Sequence, residues 1–214
     1  MADDLANLLR LTKARVKPAA VVLARAFQDY PMSAYFIPDE ARRSKKQPAV
    51  FQMLVRSGIK YGEVYATSPQ MEGVAVWFSS DSRRESFWNS LISGQFLVLL
   101  MAGRTTLRRQ RAFGEYAAAV RKRHAPARHW YLQLLGVDPA YRGKGYSSVL
   151  LRAMFARADK EGAPCFLETQ AEKNVALYEH FGFRVAEAGL IPGSNVRSWA
   201  MVRGVSTHFV ILRE

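Results

Sequence analysis

Leu132–Leu151 reads LQLLGVDPAYRGKGYSSVLL, and this stretch decides the fold. An apolar strand runs into a short turn, then into a basic loop with two glycines, then into a helix. Arg142, Gly143, Lys144, Gly145, Tyr146 and Ser147 fall where that helix begins. A helix start leaves backbone N–H groups without partners and carries a partial positive charge. Glycines let the backbone approach a ligand closely, while Arg and Lys add full charges. The stretch therefore predicts a site for a phosphate or pyrophosphate.

The flanking segments extend the pattern. Residues 129–137 read as a strand, with Trp130, Leu132 and Leu134 on one face and Tyr131, Gln133 and Leu135 on the other. Gly136 breaks the alternation, which points to a bulge or a close backbone approach. After the loop, Leu151, Met154, Phe155 and Ala158 recur at helical spacing, and Gly162 and Pro164 end the helix. Residues 165–169 form the next strand. Asn174 is placed to cap a short helix over 175–181, closed by Gly182. Residues 183–188 and 197–202 are the last strands.

Upstream, residues 8–14 read as a short strand. Residues 16–27 read as a helix stopped by Asp29-Tyr30-Pro31, and a second helix fills 39–60. Residues 64–67 and 73–78 form a hairpin across Ser68-Pro69-Gln70. Residues 83–126 read as an inserted helical pair, and 204–214 as an extra strand or a tail. Strands alternating with helices predict a single α/β (α+β) domain over residues 1–214.

Of the 214 residues, 49% are hydrophobic, enough for a sizeable core. The net charge of +13 suits an anionic ligand, nucleic acid or an acidic surface. No nucleic-acid-reading motif accompanies the basic residues, which are scattered over helix-like segments, so nucleic acid is not the expected partner. The single cysteine, Cys165, cannot form an internal disulfide, and the chain reads as cytoplasmic. The acidic start lacks a signal-peptide pattern, and the apolar run 96–103 is far short of the ~20 residues that span a bilayer. The protein is expected to be soluble, without a membrane partner. His124, His129, His180 and His208 show no metal-ligand spacing.

Three phosphate-binding loops share the outline of 142–147. A Walker A loop needs Gly-Lys followed by Ser or Thr, whereas Lys144 is followed by Gly145. A dinucleotide fingerprint needs a third glycine where Ser148 stands, although Glu168 imitates its ribose-binding acid. The third pattern is the (Gln/Arg)-x-x-Gly-x-(Gly/Ala) loop of the GCN5-related N-acetyltransferases (GNAT). Arg142 and Gly145 match it, and Ser147, still small, replaces the last Gly or Ala. A second element follows in Asn174-Val175-Ala176-Leu177-Tyr178-Glu179-His180-Phe181-Gly182-Phe183. It resembles the family's Asn, then Tyr one helical turn later, then Gly-Phe. With two signatures in order, the chain resembles the GNAT superfamily. AFQDYP, VAVW, FLETQAEKNVALYEHFGF and RSWAMVR add a likeness to puromycin N-acetyltransferase-like members, over about residues 20–203.

The resemblance implies a mixed central sheet flanked by helices, with a V-shaped opening between two parallel strands. It also implies acetyl-CoA as cosubstrate, a small amine as acceptor and no metal. The backbone of Leu135, Gly136 and Val137 would then hold the pantetheine arm and the reacting oxygen. Arg142, Gly143, Lys144, Gly145, Tyr146 and Ser147 would hold the pyrophosphate. Asn174 and Tyr178, four residues apart, share a helix face; Asn174 would bond a pantetheine amide and Tyr178 would protonate the departing sulfur. Glu168 is the expected base, and Asp29, Tyr30 and Trp77 the expected acceptor-pocket lining, in a pocket shaped by the insertion 83–126 and the segment 30–38. Phe87, Trp88, Phe96 and Leu97 favour an uncharged or aromatic amine. Two other readings remain on the same fold: a basic nucleic-acid- or chromatin-associated acetyltransferase, and a non-catalytic acyl-CoA-binding protein. The sequence does not set the oligomeric state.

Overall fold

A computed structural model describes residues 4–81 and 104–206. Among these, seven strands form one sheet in the order β1-β2-β3-β4-β5-β7-β6. They are β1 (Leu9–Arg10), β2 (Glu63–Ala66), β3 (Gly73–Ser79), β4 (Trp130–Val137), β5 (Cys165–Thr169), β6 (Phe183–Leu190) and β7 (Arg197–Arg203). Every neighbouring pair is antiparallel except β4 and β5, which run parallel. The described helices are α1 (Val16–Ala26), α2 (Pro31–Phe36), α3 (Glu40–Tyr61), α4 (Arg104–His124), α5 (Tyr146–Lys160) and α6 (Lys173–His180).

Alternation along the strands sorts the core onto two faces. Tyr65, Ala75, Trp77, Cys165 and Leu167 join Leu150, Leu151, Met154 and Phe155 of α5 on one face, together with Tyr178 of α6. Val64, Ala66, Val74, Val76 and Phe78 meet α1 and α3 on the other. There α4 covers the far end, with Val120 against Phe166 and Ala200. Each large side chain so buried contributes about 1.5–3 kcal/mol, which fixes the helices on the sheet.

Several local expectations change. The strand over 8–14 shrinks to Leu9–Arg10, because a 3-10 turn over Lys13–Arg15 follows at once. α1 ends at Ala26, before Asp29-Tyr30-Pro31, and Pro31 opens a helix of its own: it stands at the first turn of α2, where a missing N–H costs nothing. Residues 82–103 of the helical insertion, with Phe87, Trp88, Phe96 and Leu97, and residues 207–214 lie outside the described residues.

The bulge in β4 falls at Gln133 rather than Gly136. Val76 pairs with Leu134 and Trp77 with Leu132, leaving Gln133 as the extra residue. The faces switch there. Trp130, Leu132 and Leu135 pack toward α5, while Tyr131 and Leu134 pack toward α1 and α3. Gly136 instead marks a close approach. A Cβ there would lie 2.8 Å from Leu23 Cδ2 and 3.0 Å from Ala26 Cβ, so glycine lets α1 rest on the strand.

Candidate active site

The two parallel strands separate after three paired positions. Trp130, Tyr131 and Leu132 lie opposite Cys165, Phe166 and Leu167, and no pairing continues beyond them. On the far side of each strand the sheet goes on: Leu134–Val137 stay paired with β3, and Glu168 and Thr169 with β7. The bulge at Gln133 adds twist where the pairing stops. The result is a notch whose β4 edge carries Leu135, Gly136 and Val137, with backbone groups that need a partner.

The basic loop begins at the end of that edge. Asp138 anchors it. Its N–H donates to Glu72 O (2.8 Å), its carboxylate accepts from Ala140 N (3.1 Å), and Arg25 Nη1 lies 3.2 Å from Oδ2. Gly143 (φ +77°) and Gly145 (φ +81°) both take the left-handed conformation. No atom lies within 4 Å of a Cβ added at either, so the backbone angle, not space, demands glycine. Gly145 is the N-cap of α5, so the N–H groups of Tyr146, Ser147 and Ser148 have no acceptor within the helix. Arg142 donates from Nη2 to Ala26 O (3.0 Å), and Lys144 Nζ sits 5.3 Å from the Tyr141 ring centre. The exposed backbone concavity and its two cations fit a pyrophosphate.

Thr169, at the end of β5, joins three elements. Asn174 Nδ2 donates to Thr169 Oγ1 (3.3 Å), and Tyr30 Oη is 3.1 Å from the same oxygen. Tyr30 Oη also accepts from Gln170 N (2.7 Å) and donates to Gln170 Oε1 (3.3 Å). Asn174 is not a cap. Glu172 holds the N-cap position of α6, without a side-chain bond, and Asn174 lies within the helix. One turn on, Tyr178 is buried against Phe183, with ring centres 5.7 Å apart. Burial, then the neighbouring Tyr30, raise its phenol pKa above the ordinary value. Its hydroxyl makes no hydrogen bond among the described residues.

Glu168 occupies the opposite face of β5, toward α4. Arg121 Nη2 lies 3.3 Å and 3.4 Å from its two oxygens, and Tyr131 Oη donates to Oε2 at 2.8 Å. The expected base is therefore already engaged. Burial, then Glu168, push the Tyr131 phenol pKa well above its usual value. Tyr178 and Glu168 thus approach the notch from opposite faces of the sheet.

Two expected pocket residues lie elsewhere. Trp77 is fully buried, edge-on to Phe155 with ring centres 6.2 Å apart, because β3 is covered on both faces. Asp29 projects into solvent with 85% of its side chain exposed, 3.6 Å from Arg43. Tyr30 does reach the site, bonded to the end of β5 rather than open to an acceptor. Beside it opens a cleft of about 610 Å³ between α2, α4 and the β6–β7 turn, lined by Pro31, Tyr35, Arg109 and residues 193–196. Two of its walls, Pro31 and Tyr35 of α2 and Arg109 of α4, fall in the stretches 30–38 and 83–126 expected to shape the acceptor pocket. Sequence reasoning missed the third wall at 193–196, and it missed Tyr131, Arg121, Thr169 and Gln170. The signal for Tyr131 and Thr169 was their place beside strand ends already assigned to the site. Arg121 gave no signal, being one of many basic residues on its helix.

Among the described residues no group of three or more His, Cys, Asp and Glu side chains could hold a metal ion. No helix among them is long and apolar enough to cross a membrane.

Comparison with known proteins agrees with this geometry. Residues 74–183 match the model of the Acetyltransferase (GNAT) family. An uncharacterized N-acetyltransferase (C550.08) of Schizosaccharomyces pombe is 30% identical over 176 residues, covering 78% of this chain and 70% of the relative. A crystal structure of histone acetyltransferase HPA2 and related acetyltransferase from Corynebacterium glutamicum superposes with TM-score 0.67 at 24% identity, covering 95% and 98% of the two chains. Arylalkylamine N-acetyltransferase 2 from Aedes aegypti gives 0.66 at 13% identity, covering 93% and 98%. These two structures share the fold.

Proposed function

Because the chain belongs to the Acetyltransferase (GNAT) family, we propose that it moves the acetyl group of acetyl-CoA to an amine of a small molecule. The observation that carries the reading is the end of β4–β5 pairing at Leu132, with the left-handed glycine loop at the tip of the freed edge. A thioester with a nucleotide tail matches both features: amides for the open strand edge and a pyrophosphate for the loop.

Bound acetyl-CoA supplies an acyl carbon that exchanges its sulfur for the amine nitrogen, so a C–N bond forms and a C–S bond breaks. The chain's residues do the rest. The backbone of Leu135, Gly136 and Val137 pairs with the pantetheine arm, and an N–H from this edge holds the reacting oxygen. Arg142, Gly143, Lys144, Gly145, Tyr146 and Ser147 hold the pyrophosphate by charge and by backbone N–H. Asn174, fixed by Thr169, orients the arm. Tyr178 holds a proton at Oη and gives it to the sulfur; its burial keeps it protonated until then. Arg121 and Tyr131 already occupy the Glu168 oxygens. We therefore assign Glu168 the role of a fixed negative charge that draws the ammonium form inward, with water taking the amine's proton.

The test is calorimetric titration with acetyl-CoA, then a screen of amines, puromycin included, read by thiol release. Binding with amine-dependent thiol release is expected. Folded protein that takes up no coenzyme A would remove the proposal.

A further inference from the structure

Among the described residues, the cleft beside Tyr30 carries a cation without a counterion. Arg109 of α4 donates from Nη1 to Tyr35 O (2.6 Å), and its guanidinium stacks over the Tyr35 ring at 4.8 Å. These two contacts fix the plane of the group. They leave Nε and Nη2 with no acceptor among the described residues. Among the described residues no carboxylate lines the cleft, and Asn195, exposed and without a side-chain hydrogen bond to any of them, stands on the β6–β7 wall. Tyr35 Oη donates to Gly193 O (3.1 Å), tying the two walls together. A fixed, unpaired guanidinium presents parallel donors, the geometry that takes a carboxylate.

In the acetyltransferase reading the inner end of the acceptor site is Glu168. Glu168 faces the notch from the α4 side, held by Arg121 of the same helix. Arg109 and Arg121 are twelve residues apart on α4, so about 18 Å separates them along its axis at 1.5 Å per residue. A cation at the outer end and a carboxylate at the inner end match an acceptor with the opposite dipole. A compact α-amino acid, with amine and carboxylate on one carbon, cannot reach both.

Resting on the acetyltransferase reading above, we propose that the acceptor is an elongated amine whose carboxylate binds Arg109; taking roughly 4 Å of side-chain reach and contact from each end of the ~18 Å leaves on the order of 10 Å between carboxylate and nitrogen.

Glycine oligomers of one to five residues, each as free acid and as C-terminal carboxamide, test this directly. Each residue adds up to about 3.5 Å of reach. The ratio of kcat/KM for acid over amide, each taken per neutral amine, should be near one for the monomer and rise about 10- to 100-fold at three or four residues, through KM. Arg109→Met should return that ratio to about one, and Arg109→Lys should restore part of it. A mere loss of structure would lower acid and amide together and leave the ratio standing, which would overturn the proposal. An acid/amide ratio near one at every length, or no acetylation of any acid, would also overturn it. Acetyl-CoA affinity, measured separately by calorimetry, reports on the earlier reading: if binding is intact while the ratio fails, only the carboxylate assignment falls.

Discussion

Arg121 and Glu168 form a buried ion pair, with side chains 12% and 4% exposed, at the point where α4 crosses the end of β5. Its carboxylate takes a further bond from Tyr131, so the acid is held from two directions. Removing one partner of such a pair strands the other charge away from water. Arg121→Met and Glu168→Gln should each lower stability, Arg121→Met by about 3–5 kcal/mol. The double variant should cost much less than the sum, and urea unfolding of all four proteins measures that coupling. Strict additivity would show that the two side chains do not depend on each other.

Glu168→Gln also separates two roles. With the carboxylate acting as a fixed charge, KM for the amine should rise, while the rising limb of the kcat/KM profile stays set by the amine's own ionisation. Loss of that limb would make Glu168 the base.

Tyr178→Phe removes only a hydroxyl. Turnover should fall by about 10²-fold or more, with acetyl-CoA affinity unchanged by calorimetry. Burial raises the phenol's pKa, so the protonated, active form persists to higher pH than in free tyrosine, near 10. The wild-type kcat profile should accordingly show no falling limb below about pH 10. Full activity in the phenylalanine variant would rule out Tyr178 as the acid.

Two glycines should fail for different reasons. At Gly145 a side chain meets nothing but must hold φ at +81°. Gly145→Ala should cost about 1–2 kcal/mol, raise KM for acetyl-CoA and be partly relieved by Asn. At Gly136 a Cβ meets Leu23 at 2.8 Å. Gly136→Ala should cost about 1–3 kcal/mol by overpacking, and Asn should make it worse. Thermal melts with and without acetyl-CoA distinguish the two.

Burial pushes the Cys165 thiol up to about 12, so the reactive thiolate is scarce near neutrality. A thiol reagent should label the native protein at pH 8 only negligibly and label it fully in denaturant. The same property keeps Cys165 out of a thiol-release assay. Rapid native labelling would contradict the buried position of β5.

The loop and the second signature were legible because glycine angles and helical spacing are local properties. Gly143 and Gly145 therefore take the left-handed loop angles and Tyr178 follows Asn174 by one turn, although Asn174, expected as the cap, lies inside the helix. Of the two readings open at Gly136, a bulge or a close approach, the structure has the close approach, because alternation in 130–137 shows only that the pattern breaks. Register against β3 decides that the extra residue is Gln133. Trp77 looked like a pocket residue because its burial on both faces depends on helices far away in sequence. Arg109 was one basic residue among many, and only its stacking on Tyr35 sets it apart. The packing of Arg43 and Gln47 was also invisible. From one side of α3 they donate to Gln28 O (2.6 Å) and Phe27 O (2.9 Å), and so hold the segment that carries Tyr30.

Three paired positions are all that join β4 to β5, so the sheet is built as two leaves on a short spine: β1 to β4 on one side and β5, β7 and β6 on the other. The helix that carries Tyr35 spans this spine: α2 packs on α3 of the first leaf and on α4 over the second, Tyr35 bonds Gly193 of the β6–β7 turn, and Tyr30 just before α2 bonds the end of β5. The wall of the cleft is thus also a clasp between the two leaves.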